Sequence, residues 1–129
     1  MPPIAQLQRV PLLLLQRLER QGVFTTGLLL EVSETRTRRQ TLADQIQATT
    51  NDVNERRDEA LLLNLAGFGP DEQRVFTQAG IVGLGDLLAL DRETFGSRID
   101  RAARTLGVEQ PSEIAVDGWD AQARTLEEE

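Results

Sequence analysis

Two stretches of this chain repeat the same order of residues at a constant offset of 58 positions, and nothing else in the sequence limits the fold as much. The first runs Arg9-Val10-Pro11, Leu14-Leu15, Leu18, Gly22-Val23 and Leu29-Leu30. The second runs Gly67-Phe68-Gly69, Glu72-Gln73, Phe76, Gly80-Ile81 and Leu87-Leu88. In each, a tight turn precedes a stretch of about ten residues with helical apolar spacing. A glycine, Gly22 or Gly80, then stands where a left-handed helix C-cap belongs. A β-branched residue follows, and a second short helix begins. A chain of 129 residues fits one domain, or two half-domains sharing a core. The repeat therefore predicts two hairpin pseudo-repeats, residues 1–64 and 65–129, packed as one compact domain.

The remaining stretches read as helices as well. Residues 35–48 place Leu42 and Ile46 four apart. Asn51 is the expected N-cap of a helix running to Leu65, with Asp52 and Glu55 in the first turn, where the helix dipole favours acids. Asp91 is expected to cap a helix whose apolar face is Phe95, Ile99, Ala102, Ala103 and Leu106, closed by Gly107. A last helix follows Pro111-Ser112 and carries Ile114, the only tryptophan (Trp119), Ala123 and Leu126. Trp119 is expected to anchor this helix to the second hairpin, and the closing Glu127 to Glu129 to form a solvated tail. No alternating β-branched stretch competes, so the expected class is all-α.

The second hairpin, from Leu65-Ala66-Gly67-Phe68-Gly69-Pro70 through Ala79-Gly80-Ile81 to Asp86-Leu87-Leu88, resembles a bacterial group of tandem helix-hairpin-helix proteins of unknown function, cyanobacterial members included. Leu42-Ala43, the stretch from Asn54 to Leu65 and the ending Trp119-Asp120-Ala121-Gln122-Ala123-Arg124-Thr125-Leu126 resemble it too. The resemblance spans essentially the whole chain and implies the tandem fold, but brings little function with it. It also implies that hairpin turns of this kind cradle phosphate on backbone amides. Two departures count against that use. In the first turn Arg9 replaces a glycine, and Pro11 has no amide to donate. In the second, Asp71 and Glu72 follow Gly67-Phe68-Gly69 and would repel a phosphate at the positive end of the helix dipole.

Absent residue types narrow the chemistry. The chain has no His, Cys, Tyr or Lys, which leaves hydroxyls without their usual base and removes disulfides and the common zinc ligands. No catalytic residue, metal or cofactor is expected, and the protein is read as a non-enzyme. A metal-dependent carboxylate hydrolase is the remotest of the alternatives. The formal charge of −7 lies wholly in residues 65–129, where six Arg face thirteen acids. Such a balance disfavours nucleic acid as a partner. Apolar runs stop at four residues, as at 12–15, so no membrane span is expected. Met1-Pro2-Pro3 begins no secretory signal, so a cytoplasmic location is expected.

What remains is a binding role, most simply an adaptor or accessory subunit docking onto a larger assembly. The 58-residue offset sets Leu12 and Leu13 opposite Pro70 and Asp71, and Leu28 opposite Asp86. Positions that accept Asp in one copy face solvent, so these leucines form the expected partner surface. They are buried instead if the first copy packs them against Ile4 and Leu7. Arg36, Arg38 and Arg39, joined by Arg56 and Arg57, form either a polar flank of that surface or a solvated face paired with Glu34, Asp52 and Asp58. The alternative is weak, sequence-independent DNA binding through the turns Arg9-Val10-Pro11 and Gly67-Phe68-Gly69. Oligomeric state is left open.

Overall fold

Pro11 sets the start of the first helix. Its ring fixes φ near the helical value, and the extended ψ of 144° turns the chain into α1 (Leu12–Arg20). In this computed structural model, which describes residues 2–127, every regular element of the described residues is helical. The only β-type pairing among them is an isolated bridge between Pro3 and Thr25. The chain divides into two compact units, Met1–Asn64 and Leu65–Glu129.

In the first unit, α1 ends on Gly22, whose φ of 81° lets the Val23 amide return to the Leu18 carbonyl at 3.0 Å. Helices α2 (Thr26–Val32) and α3 (Arg36–Gln45) are N-capped by Thr25 and Thr35, whose side chains accept from the Leu28 and Arg38 amides. The fourth helix, α4 (Thr50–Leu63), is capped by Thr49 and not by Asn51. Asp52 decides this. Its carboxylate accepts from the Thr49 amide while the Thr49 hydroxyl accepts from the Asp52 amide, a reciprocal box that satisfies two otherwise orphaned donors. Asn51 instead reaches along the helix to Glu55. Helix α4 packs against α2 and α3. Leu18, Val23, Leu29, Ile46, Val53 and Leu62 form the core. The N-terminal segment lies against the hairpin: the Ile4 amide bonds the Phe24 carbonyl, and Ile4 and Leu7 are buried.

In the second unit, α5 (Pro70–Gln78) and α6 (Leu84–Leu88) flank Gly80, which has a φ of 80°. The starts of α5 and α6 and the position of Gly80 each fall 58 residues after their counterparts at 12, 26 and 22. Helix α7 (Arg92–Leu106) opens on the Asp91 cap and closes on left-handed Gly107. Phe95, Ile99, Ala102 and Ala103 are buried along its inner face. Helix α8 (Glu113–Glu127) buries Val116, Trp119 and Ala123, whereas Ile114 is 85% exposed. Val116, not Ile114, shares the helical face of Trp119 and Ala123. Glu128 and Glu129 of the predicted solvated tail lie outside the described residues.

Phe76 occupies the centre of this core. Phe68, Phe95 and Trp119 meet it edge-on, at centroid distances of 4.8, 5.7 and 5.2 Å. Each such contact contributes about 0.5–1.5 kcal/mol beyond area burial. The outer side is tied electrostatically, with Arg92 on α7 bonding Asp117 and Glu113 of α8.

Candidate functional site

The turn before α1 is occupied from within. Glu59, on α4, is 2% exposed, and its carboxylate accepts from the backbone amides of Gln8 and Arg9. An anion does sit at this turn, but it belongs to the chain itself. One helical turn earlier, Arg56 is buried and its guanidinium donates to the Arg9 carbonyl and to Glu55. Thus Arg56 and Glu59, three residues apart on one helix face, take the carbonyl and the amide of a single residue, Arg9. Burial pushes the Glu59 carboxyl above its ordinary range, against the opposing pull of the two amides and the nearby arginines. Arg56 retains one buried N–H, at Nε, with no partner among the described residues.

The turn before α5 is held by the same arrangement in neutral chemistry. Trp119 Nε1 donates to the Ala66 carbonyl at 3.0 Å, and Gln122 Oε1 accepts from the Ala66 amide at 3.0 Å. These two residues are again three apart on the last helix of their unit. Gly67 is left-handed at φ 73°, a conformation costly for other residues, so glycine is favoured there. Gly69 is extended, with Glu72 carboxylate oxygens near its open side. Phe68 is half-buried and packs edge-on against Phe76 and Trp119, which ties the turn to the core.

Leu12 and Leu13 are 69% and 56% exposed, and Leu28 is 38% exposed. None of them packs away against the buried Ile4 and Leu7. Phe24, which the sequence reading passed over, is 56% exposed in the loop between α1 and α2. Leu12 and Leu13 stand in the first turn of α1, while Phe24 and Leu28 follow its other end after about 12 Å of helix rise.

The arginines do not form one face. Arg38 donates to the Glu31 carbonyl and pairs with Glu34; Arg39 donates to the carbonyls of Ser33 and Glu34. Arg57 donates to the Leu30 carbonyl and the Ser33 hydroxyl. Together they close the C-terminal end of α2, where unpaired carbonyls concentrate negative potential. Burial, and Arg39 close by, lower the pKa of Arg57 from its ordinary value. Arg36 is exposed, whereas Arg56 is buried at the Arg9 turn, not on a solvated face. Asp52 serves the Thr49 cap, and the hydrogen bonds there lower its pKa.

Among the described residues no group of three or more His, Cys, Asp or Glu side chains is placed to hold a metal ion. No helix among them is long and apolar enough to cross a membrane.

Glu59 was readable in principle, because it shares the inward period of Val53, Arg56, Ala60 and Leu63. Its charge concealed it from a search for apolar spacing. The chain matches the family model described as a domain of unknown function (DUF4332) over residues 14–126 and belongs to that family. No curated protein and no solved structure matches it.

Proposed function

We propose that the chain is a non-catalytic binding module of two tandem helix-hairpin-helix repeats that docks a protein partner in a larger assembly. Exposure carries the reading: Leu12, Leu13 and Phe24 present large apolar side chains on a unit whose formal charge is zero. Large apolar side chains left in solvent, as here at both ends of α1, commonly mark a partner site. The turns support it too. The amide of Arg9 faces Glu59, and the first turn of α5 carries Asp71 and Glu72, so neither turn suits a phosphate. A bacterial origin and a cytoplasmic location belong to the same proposal.

The test is purification of the tagged full chain from its native cells, beside a Leu12→Asp/Leu13→Asp variant. A partner recovered in fixed stoichiometry with the parent and lost with the variant, at unchanged thermal stability, supports docking. Retention by the variant overturns the assigned surface. Salt-sensitive retention of duplex DNA, weakened by Arg38→Glu, would replace docking with the nucleic-acid reading.

A further inference from the structure

The acids that spoil the turn before α5 for phosphate equip it for the opposite charge. A cavity of about 480 Å³ opens beside this turn, within the second unit. That volume lies in the range of pockets that hold small ligands or a few side chains. Val75, Leu106, Ala115 and Trp119 give it an apolar lining, and Val108, 39% exposed, stands in the 107–112 connection that forms one wall. Asp71, Glu72 and Glu109 also line it, against a single cation, Arg74. Asp71 and Glu109 are exposed, while Val75 and Trp119 are buried, so the carboxylates stand outside an apolar interior. No ion pair among the described residues engages these three acids, in contrast to Asp117 and Glu113, which Arg92 takes up.

From this combination we infer that the groove is a second docking site, distinct from the leucine surface of the first unit, and that it takes a peptide segment carrying an aliphatic or aromatic residue beside arginine or lysine. Charge complementarity selects the occupant. An arginine laid across the groove sets its methylene stem on apolar lining and its guanidinium against a carboxylate. The apolar neighbour fills the interior near Trp119. A nucleic acid or acidic segment meets three carboxylates and one arginine, and is repelled.

The experiment is selection of random twelve-residue peptides displayed on phage against the intact protein. The strongest peptide is then synthesised and titrated while the fluorescence of Trp119, the chain's only tryptophan, is followed. The expected result is enrichment of peptides pairing Arg or Lys with a large apolar residue, with saturable change in Trp119 emission. Asp71→Arg/Glu109→Arg should weaken that peptide by about tenfold or more, and added salt should weaken it further. If the charge reversal disturbs folding, Asp71→Asn/Glu109→Gln reads the same effect at smaller amplitude. Failure to enrich any class, enrichment of acidic peptides, or groove variants that bind the peptide as tightly as the parent overturns the inference. So does concentration-dependent self-association that the groove variants abolish, since the occupant is then a second copy of the chain.

Discussion

The turns before α1 and α5 do one job with two chemistries. Each has a residue whose carbonyl and amide are both taken by side chains three apart on the last helix of its unit. At Arg9 the holding pair is Arg56 and Glu59; at Ala66 it is Trp119 and Gln122. The charged residues Arg56 and Glu59 place charge in a buried site, where each feels the other's field without a direct ion pair. The neutral pair costs little desolvation and shares the aromatic core. One geometry thus makes the first turn sensitive to pH and to loss of a partner, and the second sensitive to loss of packing.

The largest break in this comparison comes from Trp119→Ala, which removes the aromatic contacts and the bond to Ala66 together. A loss of about 4 kcal/mol is expected in urea denaturation. Glu59→Ala comes next, at about 3 kcal/mol, because the Gln8 and Arg9 amides lose their acceptor and buried Arg56 loses a nearby negative charge. Gln122→Ala is the smallest, at about 0.5–1 kcal/mol, because water can replace the lost acceptor at exposed Ala66. If Glu59→Ala costs no more than Gln122→Ala, the ionic reading of the first turn is wrong.

The same contrast has a pH signature. Burial raises the Glu59 pKa above its ordinary value of 4.5, so the folded protein takes up this proton at higher pH than the unfolded chain. Against Glu59→Gln, which cannot titrate, the parent should gain stability as pH falls through the raised pKa towards 4.5. Below that the difference should be flat. Denaturation of both proteins between pH 7 and 4 measures it, and a parent that loses ground over this window contradicts the sign. Gln122→Ala should shift stability equally at every pH in that range.

Much of the architecture was legible because it depends on local chemistry. Gly22, Gly80 and Gly107 mark left-handed stops, Asp91 a cap, and Phe95 to Ala103 a helical period. The cap at Thr49 was harder, since Thr49, Thr50 and Asn51 are all competent and only the reciprocal reach of Asp52 separates them. The exposure of Leu12, Leu13 and Leu28 agrees with the offset argument, which used Asp71 and Asp86 as reporters of solvent-facing positions. Other features are tertiary. That Arg39 and Arg57 converge on α2 carbonyls, that Arg56 is buried, and that the 107–112 connection makes a groove with α5 all depend on helix placement. Spacing along one helix carries no signal for them.

The central claim is that the chain has already engaged or guarded the backbone groups that such turns otherwise offer to phosphate. Amide chemical shifts followed while duplex DNA is added at low salt test it most directly. The account predicts that the amides of Gln8, Arg9, Gly67 and Gly69 stay unmoved. Saturable shifts at these amides that fade as salt is added would contradict it.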